Sequence, residues 1–453
     1  MSGRFLAAIA VGIVLAGAAG CSSGGSGSTV SGSTGSGSTV SSSAVAATQP
    51  ASAAPPVSDC LTLPKPTCYA PRQFRVAYGV QPLLARGFDG RGQTVVLPEI
   101  APAAGAAGVT DVRQDLAQFD SVFGLTAARL RVITRLAGGA APYLANGEEA
   151  GDAEIVHAIA PAAAIDVILL PATLTQWPVA RIGAAYAAAL RAAPALGSVV
   201  SLSAGLGEQC FSVATLALVH SALRYDQQRH VTVVVSSGDF GAAISPPCPG
   251  TGSQVPPKGV DYPASDPLVL SVGGTSLNAN HGTGAYLGET AWNRPITPTA
   301  GPHWASGGGF SGQFSRPAYQ AGVPGIEAAS RGVPDVAADA DAYTGIALVA
   351  VVASGQYVVS PGAGTSAGAP FWAGLVAIAD QYAGRHLGFI NPALYRIARS
   401  ASYHAAFHDV TTGDNTVRFG AVTITGYRAA PGWDPVTGWG SPDTRVIVPL
   451  LAR

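Results

Sequence analysis

The chain has 453 residues, of which 48% are apolar and 11% charged, with a formal net charge of -1 at neutral pH. So many apolar side chains are ample for a large buried core, and disorder is excluded as the default state. The near-zero charge lacks the basic footprint of a nucleic-acid binder, which leaves peptides, proteins or small molecules as partners.

Arg4 precedes an apolar run from Phe5 to Ala19 that is too short for a comfortable membrane span, so residues 1–20 read as an export signal. The run ends in Leu15-Ala16-Gly17-Ala18-Ala19-Gly20-Cys21, which resembles a bacterial lipoprotein box with Ala18 where Leu is commoner. Cleavage before Cys21 would leave that cysteine to carry lipid and hold the protein on the outer face of a cytoplasmic membrane. Ordinary cleavage and free secretion are the alternative. Residues 21–57 are mostly Ser, Gly, Thr, Ala, Val and Pro, a composition that cannot bury enough apolar surface to offset its ordering entropy. As a Gly/Ser coil this tether would span roughly 30 to 35 Å. Cys60, Cys68, Cys210 and Cys248 remain, an even number that suits an oxidising compartment. Closeness in sequence favours Cys60 with Cys68 and Cys210 with Cys248 among three pairings. Zinc is the competing use of these cysteines, but no CxxC spacing supports it.

Residues 58–453 show no second linker and no repeat, and read as one domain, expected to be monomeric. In chain order the pattern predicts a strand at Thr94–Leu97, a helix at Asp111–Phe119 and a helix at Glu149–Ile159. There follow a strand at Ile165–Leu170, a helix at Val179–Leu190, a strand at Val199–Leu202 and a helix at Val213–Gln227. Strands at Val231–Val235, Leu268–Val272 and Ile346–Val352 lead to a last helix at Gly368–Tyr382. Near-continuous branched runs alternating with helices predict an α/β fold with a mostly parallel twisted sheet flanked by helices. Ligands bind at the carboxyl ends of such strands, where Ser236-Ser237-Gly238-Asp239 falls.

Gly364-Thr365-Ser366-Ala367-Gly368-Ala369-Pro370 sets Ser366 at a helix N-terminus, which suits a nucleophile although Gly-Thr-Ser there is also an ordinary cap. A serine hydroxyl needs a base. None of the eight histidines lies in a His-Gly-Thr-His string of the kind subtilisins use. Glu148 and Asp152, four apart in Gly147-Glu148-Glu149-Ala150-Gly151-Asp152, would share a helical face and form a candidate carboxylate pair. The alternative is a solvated acidic first turn. The apolar turns at Ile155–Ile159 and the scarcity of acids elsewhere favour chemistry.

In this order the chain also carries Tyr262-Pro263-Ala264-Ser265, Val272-Gly273-Gly274-Thr275, Gly307-Gly308-Gly309-Phe310-Ser311, Arg331-Gly332-Val333-Pro334-Asp335-Val336 and Asn391-Pro392-Ala393-Leu394-Tyr395. Together with the strings around Glu148, Asp239 and Ser366, the sequence resembles the sedolisin family of serine-carboxyl peptidases, which have a subtilisin-like fold. The resemblance implies Ser366 as nucleophile, Glu148 as general base and acid, Asp152 as its support and Asp239 as the oxyanion-site acid. Such chemistry runs in acid, roughly pH 3 to 5, because a Glu near ~4.3 still accepts a proton where a His near ~6.5 is charged. The resemblance also implies one structural calcium ion held by Asp409, Val410, Ala430, Gly432 and Asp434, the middle three through carbonyls. Two departures stand out. The family-like sequence begins near Tyr69 without the usual N-terminal prodomain, and Ala204 replaces a Trp that elsewhere extends the catalytic network through a Glu resembling Glu99. An alternative of another class is a catalytically weak or inactive surface lipoprotein that keeps the fold for binding. A conventional subtilisin lacks its histidine here.

Overall fold

Two hydrophobic cores share the strands of one sheet, and the alternation along each strand decides which core a side chain enters. The computed structural model describes residues 56, 58–101, 110–134, 144–145, 147–170, 178–244, 248, 255–295, 303–326, 329–351 and 356–453. The export signal, Cys21 and nearly all of the tether lie outside the described residues. The main sheet is built from β1 (Thr94–Ile100), β2 (Arg129–Ile133), β3 (Ala164–Leu170), β4 (Val199–Leu202), β5 (Thr232–Ser236), β6 (Leu270–Ala279), β7 (Tyr286–Ala291) and β8 (Val336–Asp339). Its order is β7-β6-β5-β4-β1-β3-β2, with β8 paired to β6. Every pairing is parallel except β6 with β7.

Val95, Leu97, Ile165, Val167, Leu169, Val199 and Val234 point into one core with helices α1 (Val112–Phe123), α2 (Glu148–Ile159) and α5 (Thr365–Ala383). Val96, Ile168, Leu170, Val200, Leu202, Val233 and Val235 point into the other, with α3 (Val179–Ala192) and α4 (Val213–Gln227). Strands apolar at every position are what a sheet covered on both faces requires. Helix α1 is capped by the Asp111 carboxylate on the Arg113 amide and stops at Gly124 in the left-handed region, with φ 63°. Helix α5 begins at Thr365, three residues before the predicted start, behind Gly364.

The predicted strand at Ile346–Val352 forms as Gly345–Val351, but it lies outside the parallel sheet. It pairs antiparallel with Tyr357–Pro361 and joins the short strands Ser58–Asp59 and Cys68–Tyr69 in a second, four-stranded sheet. So few residues between Val351 and Tyr357 cannot make the crossover that a parallel pairing needs. Strands β2, β7 and β8 escaped sequence reading: β2 and β7 are half-exposed edge strands, and β8 is the short, alanine-rich Val-Ala-Ala-Asp. Disulfides join Cys60 to Cys68 and Cys210 to Cys248, with Cα–Cα distances of 5.7 and 5.2 Å.

Candidate active site

The carboxyl ends of the parallel strands bring the polar groups together. Glu99 is the last residue but one of β1, Ser203 follows β4 and Asp239 follows β5. The N-termini of α2 and α5 converge on them and deliver Glu148 and Ser366. Glu148 is the first residue of α2, after Gly147 with φ 98°, and Asp152 lies one turn further along the same face. Glu148, Asp152 and Ser366 border one small pocket, which is also lined by Ile155 of α2, by Leu348 of the second sheet and by Gly362 just after it. Glu149 is buried but does not line it.

Ser366 and Glu148 face the same pocket. Burial first, then the neighbouring Asp152 charge, pushes the Glu148 carboxyl well above its ordinary value, while the nearby Ser366 hydroxyl opposes this. Asp152 accepts the Ser203 hydroxyl at 2.6 Å and is bonded to Glu99. Burial pushes it up to about 7, with the Ser203 and Glu99 bonds pulling the other way. Glu99, 4% exposed, is raised well above the usual range by burial and then by Asp152 and Glu148. Glu99 is therefore the protonated donor of its pair with Asp152. Where Ala204 removes the indole expected from the resemblance, the acid finds Asp152 directly, and a neighbouring hydroxyl supplies the second donor.

Ser203 is also 3.2 Å from the Ser366 carbonyl oxygen. That carbonyl lacks its helical partner because the residue four further on is Pro370, which has no amide proton. Asp239, raised by burial, accepts the amide and the hydroxyl of Thr365 on Oδ1, at 2.7 and 2.8 Å. Ser203 and Thr365 are the two polar residues of the site that sequence reasoning did not assign. Their only signal was position, one residue beyond a strand end and one residue before Ser366.

The five residues expected to hold calcium fall into one neighbourhood. Asp409 accepts the Gly432 amide at 3.1 and 3.2 Å, and Asp434 accepts the amides of Ala430, Val436 and Thr437 at 3.2, 2.8 and 2.9 Å. Val410 is buried beside Asp409. No basic side chain pairs with either carboxylate among the described residues. Two uncompensated carboxylates on neighbouring segments suit a hard cation with oxygen ligands. Among the described residues no group of three or more His, Cys, Asp or Glu is disposed to hold a metal, so carbonyls would have to complete the shell.

No family model matches the chain. Kumamolisin of Bacillus sp. (strain MN-32) is 35% identical over 400 residues, covering 85% of this chain and 64% of that protein. Sedolisin of Pseudomonas sp. (strain 101) is 38% identical over 216 residues, 47% of this chain and 33% of the relative. Tripeptidyl-peptidase 1 of Homo sapiens is 32% identical over 278 residues, 57% and 44%. The chain thus spans less than two thirds of the length of these curated relatives. The structure of Pseudomonas sedolisin, a serine-carboxyl proteinase complexed with two molecules of pseudo-iodotyrostatin, matches with a TM-score of 0.67 at 27% identity, over 84% of this chain and 97% of that one. A parallel sheet between two helical layers, with a serine and carboxyls gathered at its strand ends, defines a subtilisin-like fold of the serine-carboxyl class. Within that class the chain belongs to the sedolisin family.

Proposed function

We propose that the protein is an acid-active peptidase that hydrolyses peptide bonds in peptide or protein substrates through Ser366, Glu148, Asp152 and Asp239. The observation that carries this reading is that Ser366, Glu148 and the buried Asp152 border one pocket with no histidine among its lining residues. Ser366 Oγ bonds to the scissile carbonyl carbon while its proton passes to Glu148. The carbonyl electron pair moves to oxygen, and protonated Asp239 donates a hydrogen bond to the resulting oxyanion. Collapse breaks the C–N bond, Glu148 returns the proton to the leaving amine, and an acyl-Ser366 remains. Water then repeats the sequence in place of the serine. Asp152, tied to Glu99 and Ser203, supports Glu148 through its charge.

Burial raises Glu148 and Asp239 together, so both limbs of the pH profile are displaced upward from ordinary carboxyl values, and they belong to the coupled site. Incubating the purified domain with a mixed peptide library across pH 3 to 8 tests the reading. Cleavage should peak below neutrality, and Ser366→Ala and Glu148→Gln should each remove nearly all of it with the fold intact. A Ser366→Ala protein that cleaves at the wild-type rate overturns the mechanism. A folded wild type that cleaves nothing at any pH leaves the surface-binding alternative.

The same proposal includes one structural calcium at Asp409, Val410, Ala430, Gly432 and Asp434, where it would neutralise the two carboxylates. It also includes a monomeric domain exported by residues 1–20 and lipidated at Cys21 on the outer face of a bacterial cytoplasmic membrane. Among the described residues no helix is long and apolar enough to cross a membrane. Mass spectrometry of the native N-terminal peptide decides between lipidation and free secretion.

A further inference from the structure

Asp239 is held by an asymmetric set of donors. Its Oδ1 takes two hydrogen bonds from Thr365, the amide at 2.7 Å and the hydroxyl at 2.8 Å. The direction of the hydroxyl is fixed, because the Gly238 amide, which can only donate, bonds Thr365 Oγ1 at 3.1 Å. The Thr365 proton must therefore point at Asp239. Two donors occupy both lone-pair sites of Oδ1, and a proton placed there would meet one of them head-on. Neutral Asp239 accordingly carries its proton on Oδ2.

Oδ2 has no hydrogen-bond partner among the described residues. A Cβ on Gly364 would lie 2.6 Å from it, and Gly364 has a φ of +82°, so glycine leaves this oxygen clear on the loop that carries Ser366. Two carboxyls lie nearby: Glu148, on which the Asp239 charge acts, and Asp261, whose Oδ2 lies 2.6 Å from the Cβ position of the neighbouring Gly238.

We infer that Thr365 is a positioning residue whose two bonds to Oδ1 confine the proton of Asp239 to Oδ2, so that the acid offers the substrate oxygen a donor rather than an acceptor. The catalytic consequence rests on the peptidase reading above; the location of the proton does not. Thr365→Val removes the hydroxyl while keeping the amide and the shape. Oδ1 then holds one donor, and the proton can occupy either oxygen.

Two opposed signatures follow. Turnover falls by up to about twofold, because at most half of the neutral Asp239 population then presents an acceptor. The alkaline limb of kcat/KM moves to higher pH, because the carboxyl has lost a bond that favoured its ionised form. A merely structural role would lower activity without moving that limb. Thr365→Ser restores both values, and Thr365→Ala, free of any packing strain, repeats both shifts.

A measurement independent of turnover is the 13C NMR titration of the Asp239 carboxyl, assigned with Asp239→Asn. Its midpoint should rise in Thr365→Val and return in Thr365→Ser. If the midpoint moves in this way in a protein with no peptidase activity, the Thr365 arrangement stands and the peptidase reading falls. If midpoint and limb are both unchanged in a protein whose cleavage depends on Ser366, the inference is overturned and the peptidase reading stands.

Discussion

Asp152 sits between two donors, Ser203 on one side and Glu99 on the other, and its usefulness depends on staying ionised. Ser203→Ala removes a bond that favours the charged form, so Asp152 holds its proton to higher pH and its support of Glu148 is lost in acid first. The expected outcome is an acid limb displaced to higher pH with roughly tenfold lower activity on that side, recovered as pH rises. A pH–rate profile with a thermal melt as control checks this, and a uniform loss at all pH would assign Ser203 to packing alone. Ser366 stood out in the sequence by its place before an apolar helix, Glu148 and Asp152 because acids are scarce and these two fall at a helical spacing, and Asp239 by its place beyond a strand. A lone hydroxyl such as Ser203 or Thr365 has no spacing signature, and its partners become visible only when strands distant in sequence are laid side by side.

The loop from Ala430 to Asp434 and the neighbouring Asp409 depend on charge more than on packing. Asp434 and Asp409 bond only neutral donors among the described residues, and Gly432, with φ 82°, provides a backbone turn that other residues would strain. If a cation binds only the native loop, it adds stability by mass action. Chelation should then lower Tm, and Asp434→Ala should abolish that response while lowering the melting point by itself. A Tm indifferent to chelator would make these residues ordinary turns. At this scale the sequence resolved the central strands and helices well, since their apolar runs are long and unbroken. The second sheet was illegible because its partners, Ser58–Asp59 and Cys68–Tyr69, are two residues long and flanked by turns.

Across the molecule, buried carboxyls shifted upward outnumber those shifted down. Asp115 and Asp380 are pushed to about 6, Asp152 to about 7 and Asp226 to about 8, all by burial. Each binds its proton more tightly in the folded than in the unfolded chain, whose carboxyls titrate near ~4. The stability they contribute is complete below that value and is lost as pH rises through 6 to 8. Tm should therefore be higher in acid than at neutrality and fall by roughly 5 °C or more between pH 5 and 8. Asp226, with neither oxygen bonded, is the sharpest case: Asp226→Asn should raise Tm at pH 8 and leave it nearly unchanged at pH 5. A Tm that rises towards pH 8 would contradict this.

The second sheet also sets how the domain would carry a mechanical load. Ser58 and Asp59 lie parallel to Val358 and Val359, and the Cys60 amide bonds the Val359 carbonyl at 3.1 Å. The strand they grip runs directly into Gly362, Gly364 and Ser366. Tension on the chain ahead of Ser58 acts along that pairing as shear, so several hydrogen bonds must yield at once. The Cys60–Cys68 crosslink then diverts the pull to Cys68 and Tyr69, which are anchored on Gly345 and Ile346 at the far side of the same sheet. A domain dragged by its N-terminus would be held at two points on either side of the strand that leads to its serine, and the force would be shared before it reached the nucleophile.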